Sequence, residues 1–178
     1  MARLFAFALS ALIFLASCAP TPPAPLGPDG KPLPRAYKIS EKDVGEIKFR
    51  MLDSVNQLRG AAGAQPLALN AQLTAAAATH SRDMSVQNRA WHFGSDRSSI
   101  IDRVRRAGFT GLPLGENISE TYETELETLA AWMDDPATRA IIMDKRASQL
   151  GFDWYQEPNG KIWWTLITGQ PGVRGPGA

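Results

Sequence analysis

The residues best suited to chemistry lie in one stretch of the chain, from Trp91 to Arg139. This stretch holds His92, one of only two histidines, together with Glu116 and Glu127. A buried imidazole or carboxylate needs a partner, a proton or a metal ion to offset the cost of leaving water. One hypothesis is that Glu116 or Glu127 acts as a general base and His92 as an acid, or that a bound metal activates water.

Each of these residues also has an ordinary structural interpretation. Glu127 follows Thr124 in the Thr-x-x-Glu pattern of a capping box, Glu116 can accept backbone hydrogen bonds, and His92 can orient its loop. The second histidine, His80, lies among small apolar residues, a setting typical of a histidine in the core. No serine or cysteine nucleophile stands in a recognised motif.

Two predicted helices precede the stretch. The first covers residues 41–58 with Ser40 as its N-cap, and the second begins after Asn70, another good N-cap residue, and carries His80. Apolar residues recur three and four positions apart in both helices, as on the buried face of a helix. They are Val44, Ile47, Met51, Val55 and Leu58 in the first, and Leu73, Ala76, Ala77 and Met84 in the second.

Loops and short helices make up the stretch itself. Residues 91–94 and 111–117 are predicted loops. Ser98 is predicted to cap a short helix that ends at Gly108, and Thr124 to start a fourth helix.

A hairpin follows the helices. Apolar and polar residues alternate over 150–155, and residues 162–167 return as a second strand after the turn Pro158-Asn159-Gly160. Helices first and a hairpin last predict an α+β domain, with the helices packed on an antiparallel sheet.

The N-terminus predicts secretion and attachment to a membrane. A basic start with Arg3 precedes an apolar run from Leu4 to Phe14 that is too short to span a bilayer, so residues 1–17 are interpreted as a signal peptide. Leu15-Ala16-Ser17-Cys18 resembles the bacterial lipobox, in which the cysteine is acylated and becomes the first mature residue. Cys18 is the only cysteine, so no intramolecular disulfide is possible. The alternative is a plain cleaved signal peptide with an incidental cysteine.

Composition sets the remaining boundaries. Seven prolines between Ala19 and Arg35 predict an extended linker over residues 18–38, and residues 171–178 are expected to form a flexible tail. The folded domain is therefore expected at 39–170. The near balance of 19 basic and 18 acidic residues lacks the strongly basic footprint of a nucleic-acid-binding protein.

Several short motifs follow one another along the chain. They are Asn56-Gln57-Leu58-Arg59, Ala77-x-x-His80-Ser81-x-Asp83-Met84, His92-Phe93-Gly94, Gly115-Glu116-Asn117-Ile118, Trp132-Met133-x-x-Pro136-x-x-Arg139 and Trp163-Trp164-Thr165. In this order they resemble the bacterial branch of the CAP superfamily of cysteine-rich secretory proteins, antigen 5 and pathogenesis-related 1 proteins. The resemblance covers about Ile47 to Gly169. It implies a three-layer α-β-α sandwich with a central antiparallel sheet.

The resemblance also implies a site. Members carry a central cavity lined by two histidines and two glutamates, which in several of them binds zinc or another divalent ion. Matched by motif, the ligands fall on His92, Glu116 and Glu127, while His80 and Asn117 belong to the same predicted cavity.

The fourth ligand position departs from the family pattern. Thr138 stands where the bacterial motif has a histidine. Zinc prefers four ligands drawn from imidazole, thiolate and carboxylate, and a threonine hydroxyl is a poor substitute at neutral pH. Weak or absent binding of zinc or another divalent cation is therefore expected at His92, Glu116 and Glu127, with Thr138 lining the cavity.

The resemblance favours binding over catalysis. We expect a non-enzymatic ligand-binding or interaction module, anchored to the cell envelope through Cys18, with a lipid, glycan or protein as its ligand. Ala19 after the cysteine favours the outer membrane, with the domain facing the periplasm or the exterior. The alternative is a metal-dependent hydrolase that acts on an envelope or extracellular substrate.

Overall fold

A computed structural model describes residues 37–172. Cys18, the predicted signal peptide and most of the predicted linker and tail lie outside these residues. Within them, no helix has the length and apolarity needed to cross a membrane. After a 3-10 turn at Glu41–Asp43, the elements are α1 (Val44–Ala61), β1 (Ala68–Leu69), α2 (Ala71–Gln87), α3 (Ile100–Arg106), β2 (Leu112–Thr121), α4 (Glu125–Asp134), α5 (Pro136–Ile142), β3 (Gln149–Gln156) and β4 (Ile162–Gln170).

The sheet has the strand order β1-β3-β4-β2. Strand β4 pairs antiparallel with both β3 and β2, whereas the two-residue β1 pairs parallel with β3. The three long strands thus form the predicted antiparallel sheet. Its central strand β4 is buried from Ile162 to Gly169, because helices cover both of its faces.

Two hydrophobic cores lie on opposite faces of the sheet, since successive side chains of a strand point to opposite sides. Ile162, Trp164 and Leu166 of β4 belong to the core that includes α1 and α4. Ile167 belongs to a second core with α2 and α3. The layers are therefore α1, α4 and α5, then the sheet, then α2 and α3, and the predicted three-layer α-β-α sandwich is confirmed.

Helix α1 differs from its prediction at both ends. The Ser40 hydroxyl donates to Asp43 Oδ2 at 2.5 Å and does not cap the helix, which starts at Val44. Leu58, predicted to be buried, is 38% exposed, and Arg59 is buried instead. Arg59 is accommodated because its guanidinium donates to the carbonyls of Gln65, Ile142, Asp144 and Ala147.

The predicted loop at 111–117 is wrong from Leu112 onward, because residues 112–117 open strand β2. Gly111, Pro113 and Gly115 are typical of a loop, but pairing with β4 decides the conformation, and a register shift between Pro113 and Gly115 absorbs the proline. Gly115 is needed there for close packing: a Cβ at this position would lie 2.7 Å from Ile141 Cγ1 of α5.

Two helix starts also need correction. Ser99, not Ser98, caps α3 through a reciprocal pair of bonds with Asp102. Helix α5 is absent from the predicted elements, although Asp135 caps it and Pro136 stands in its first turn. The predicted caps Asn70 of α2 and Thr124 of α4 are confirmed.

Candidate functional site

A buried carboxylate marks the polar centre of the domain. Glu116 projects from β2 with only 3% of its side chain exposed. Arg103 of α3, whose side chain is 4% exposed, donates from Nη2 to Glu116 Oε2 at 2.6 Å. A buried carboxylate is stable only when its charge is balanced and its oxygens are hydrogen-bonded, and Arg103 does both for Oε2.

Both histidines approach the other oxygen of this carboxylate. His92 donates from Nδ1 to Glu116 Oε1 at 3.0 Å, and its own side chain is 59% exposed. His80 is fully buried on α2, donates from Nε2 to the Trp91 carbonyl at 3.0 Å, and lies 3.6 Å from the same Oε1. We call His80, His92, Arg103 and Glu116 the Glu116 cluster.

The protonation states of the cluster follow from burial and charge. Burial alone would raise the pKa of Glu116, but the hydrogen bond from His92, the charge of His80 when that imidazole is protonated, and the charge of Arg103 bring that pKa below its ordinary value. Burial lowers the pKa of His80. The negative charge of Glu116 acts in the opposite direction, and the positive charge of Arg103 lowers the pKa further. At neutral pH His80 is therefore neutral and Glu116 ionised, so Arg103 supplies the charge that balances Glu116.

Arg103 also fixes the loop between α2 and α3. Its Nη1 donates to the carbonyls of His92 and Ser98, each at 3.0 Å. The guanidinium thereby ties this loop to the carboxylate on the sheet. Arg103 is absent from the predicted site residues. The signal that points to it is the need of a buried carboxylate for a cation, together with the run of three arginines at 103, 105 and 106 in a short helix.

Asn117 and Thr138 form a separate contact on the other face of the sheet. Asn117 is buried and donates from Nδ2 to the Thr138 carbonyl at 3.0 Å, which joins β2 to α5. The Thr138 hydroxyl donates to the Trp132 carbonyl at 2.7 Å, at the end of α4. Thr138 therefore contacts Asn117 on the face of the sheet opposite to the Glu116 cluster, and its side chain binds the preceding helix.

Glu127 lies at the N-terminus of α4. Its carboxylate accepts from the Thr124 amide at 2.9 Å and from the Thr124 hydroxyl at 2.8 Å, and the side chain is exposed. Both bonds lower the pKa of Glu127, and the bond from the Thr124 amide has the larger effect. The structure thus brings His80, His92 and Glu116 together and gives Glu127 the role of a helix cap.

The Glu116 cluster does not fit a zinc centre. Among residues 37–172, no three His, Cys, Asp or Glu side chains are arranged to hold a metal ion. The reason is chemical: Glu116 Oε2 is bound to a guanidinium, and His80 Nε2 carries the proton that it donates to Trp91. A divalent cation would have to displace Arg103 or bind beside its positive charge.

An apolar groove lies elsewhere, between α1 and α4. Its volume is about 560 Å³. Leu58 and Leu126 on its sides are 38% and 41% exposed, and Leu129 and Met133 also line it. Its full lining is Ser54, Gln57, Leu58, Ala61, Leu126, Leu129, Ala130, Met133 and Asp134.

Comparison with known proteins agrees with this fold. The model of the family described as "CAP: Cysteine-rich secretory protein family" matches residues 52–168. The chain is also similar to the uncharacterized protein YkwD of Bacillus subtilis (strain 168), with 26% identity over 127 residues. That match covers 71% of this chain and 49% of the relative, so the chain spans about half the length of the curated protein it matches.

Two solved structures share the fold. An extracellular protein containing a SCP domain from Bacillus anthracis superposes with a TM-score of 0.65 at 21% identity, over 75% of this chain and 45% of that one. An outer surface protein from Borrelia burgdorferi gives a TM-score of 0.67 at 13% identity, over 78% of this chain and 100% of its own. At such low identities these likenesses concern the fold alone.

Proposed function

The chain belongs to the cysteine-rich secretory protein (CAP) family. From this premise we propose that it is a non-enzymatic binding module of the bacterial cell envelope. Its ligand is apolar, such as a lipid acyl chain, and binds in the groove between α1 and α4. The groove is the observation that carries this proposal. The state of Glu116 supports the non-enzymatic part, and Cys18 supports the location.

The groove has the chemistry of a site for an acyl chain. Of its nine lining residues only Asp134 is charged, and Leu58 and Leu126 leave apolar surface in water. Ligand sites are typically concave and largely apolar, with a few polar groups at the edge, and Ser54 and Gln57 supply such groups here. Covering the two leucines with an acyl chain would be favourable, because it removes apolar surface from water.

The Glu116 cluster argues against hydrolysis at the polar centre. A general base must reach the proton that it removes, and a catalytic metal needs an open coordination position. Glu116 is 3% exposed and bound through both oxygens, by Arg103 and His92. These bonds stabilise the fold, and burial keeps the carboxylate away from a substrate in solvent.

The apolar groove is tested by a fluorescent fatty acid. We expect cis-parinaric acid to bind the purified chain, and Ala130→Phe, which fills the groove from an exposed position on α4, to weaken binding at least tenfold, equivalent to about 1.4 kcal/mol. Ala131→Phe is the matched control, since Ala131 is also exposed on α4 but does not line the groove. Equal affinity in both variants, or no binding by the wild type, would refute the proposal.

Attachment to the envelope rests on Cys18. If the lipobox segment is processed as proposed, the cysteine carries acyl chains, and the wild-type protein sediments with membranes. Because mature residues 19–36 contain no long apolar run, the variant Cys18→Ser is expected to move to the soluble periplasmic or extracellular fraction. Fractionation followed by immunoblotting measures this, with the band size showing whether residues 1–17 have been removed, and full membrane retention of a processed Cys18→Ser would exclude acylation as the anchor.

A further inference from the structure

Two aromatic side chains flank His92 on the loop after α2. The rings of Trp91 and Phe93 lie with their centroids 5.6 Å apart. Phe93 is 50% exposed, and Trp91 is partly exposed. The guanidinium of Arg89 lies over the Trp91 ring, 4.1 Å from its centroid. We call Arg89, Trp91 and Phe93 the Trp91 patch.

Hydrogen bonds hold the Trp91 patch at the surface. Gln87, the last residue of α2, accepts through Oε1 from Trp91 Nε1 at 2.7 Å, and its Nε2 donates to the Phe93 carbonyl at 3.3 Å. From the buried side, His80 Nε2 donates to the Trp91 carbonyl at 3.0 Å. A partner that covers the patch would therefore not have to order the loop first, which lowers the entropic cost of binding.

The chemistry of the Trp91 patch suits the boundary of a lipid bilayer. Tryptophan is enriched at membrane–water interfaces, because its ring is apolar and its N–H is polar. Arg89 forms no ion pair among residues 37–172, so its charge is available to a lipid phosphate. Val86, in the last turn of α2, adds an apolar side chain that is 77% exposed.

The chain enters the fold at the same end of the sheet. The Tyr37 carbonyl accepts from Gln156 Nε2 at 2.5 Å, at the end of β3. The next residue, Glu157, accepts from the Ser85 hydroxyl in the last turn of α2 at 2.8 Å. The N-terminal end of the described chain and the Trp91 patch therefore lie at one end of the domain.

This position selects a membrane as the partner. Residues 19–36 separate the proposed anchor Cys18 from Tyr37, and a fully extended chain of that length spans about 65 Å at most. A bilayer that holds Cys18 thus stays within reach of the Trp91 patch. Because the anchor makes the contact intramolecular, even a weak affinity for the bilayer is enough to populate it.

We propose that the Trp91 patch docks on the surface of the phospholipid bilayer that holds Cys18. Trp91 and Phe93 enter the boundary between headgroups and acyl chains, and Arg89 binds a lipid phosphate. Docking gives the domain a fixed orientation on the membrane. This inference rests on the anchoring proposed above, but it uses no residue of the groove between α1 and α4.

A fluorescent label at two exposed alanines tests the docking. The full-length protein carries the polarity-sensitive dye NBD at Ala90→Cys, beside the Trp91 patch, or at Ala62→Cys, directly after α1. Ala62 lies at the opposite end of the sheet, since Arg59 in the last turn of α1 donates to the Ala147 carbonyl just before β3. In vesicles of phosphatidylethanolamine and phosphatidylglycerol, nitroxide-labelled phospholipid is expected to quench the dye at position 90 strongly and at position 62 weakly.

Phe93→Ser is expected to abolish most of the quenching at position 90, because it removes an exposed apolar ring from the Trp91 patch. Leu112→Ser is the matched control: Leu112 is 51% exposed, but it begins β2 at the end of the sheet away from the patch. Both variants should melt at the wild-type temperature, so that lost quenching reports lost docking and not unfolding.

The wild-type chain, labelled in parallel, separates docking from anchoring. A Cys18 thiol that takes the dye would contradict acylation, and its signal is subtracted, so that positions 90 and 62 decide docking in either case. Equal quenching at the two positions, or equal quenching in Phe93→Ser and Leu112→Ser, would overturn the proposal and favour a protein as the partner of the Trp91 patch.

Discussion

Arg103→Met is expected to destabilise the domain by about 3–5 kcal/mol, the usual cost of breaking a buried ion pair from one side. The substitution keeps an apolar stem in α3 but leaves Glu116 ionised, 3% exposed and without its balancing charge. It also releases the carbonyls of His92 and Ser98, so the loop after α2 loses its attachment to the sheet. Urea unfolding at pH 7, followed by tryptophan fluorescence, measures the free energy of unfolding.

Two comparison variants make this result specific. Arg105→Met removes the same charge from an exposed position two residues away and should change stability by no more than about 0.5 kcal/mol. Arg103→Met combined with Glu116→Gln removes both buried charges and should recover part of the lost stability. A loss in Arg103→Met no larger than in Arg105→Met would show that the buried pair contributes nothing to the fold.

The second large effect is expected at Trp164. The ring is fully buried in the core with α1 and α4, where it stacks on Phe152 with centroids 5.4 Å apart and planes 8° from parallel. Trp164→Ala removes this ring and leaves a cavity in the core beside β4. The expected loss in the free energy of unfolding is about 3–5 kcal/mol. Thermal and urea unfolding of the purified variant give the size of the loss.

Trp154→Ala is the control for Trp164. Trp154 is only partly buried at the edge of the same aromatic cluster, with its ring 5.4 Å from that of Trp164. The surroundings can relax more easily there, so the loss should be clearly smaller. An unchanged melting temperature in Trp164→Ala would contradict the position of this ring in the core.

The sequence predicts the parts of the fold that depend on local patterns. Asn70 and Thr124 mark helix starts because their side chains bind backbone amides within the next turn. The hairpin of β3 and β4 is visible from its alternation and its turn. The packing of helices on the sheet follows because these elements must bury their apolar faces, whereas the three-layer order is implied only by the resemblance to the CAP superfamily.

The errors lie where tertiary contacts override local preference. Residues 111–117 look like a loop because they contain two glycines and a proline, and only pairing with β4 makes 112–117 a strand. Leu58 fits the helical stripe of α1 but lines a groove, while Arg59 is buried because carbonyls at the end of α5 and in the segment after it accept hydrogen bonds from its guanidinium.

The predicted site shows the same division. His92 and Glu116 can be paired from their motifs, and the structure places them 3.0 Å apart. Arg103 cannot be assigned from local pattern, since an arginine on a short helix is usually exposed. Its pairing with Glu116 depends on how α3 packs near β2. That partner changes the chemistry, because it converts a candidate base or ligand into half of an ion pair.

A zinc titration of the metal-free wild-type chain by calorimetry at pH 7 decides whether the Glu116 cluster is structural or a metal-dependent catalytic centre. Because Arg103 is bound to Glu116 Oε2, no stoichiometric binding is expected at micromolar zinc. One equivalent of zinc bound at micromolar concentration, and lost in both Glu116→Gln and His92→Ala, would refute the structural role and favour the metal-dependent hydrolase.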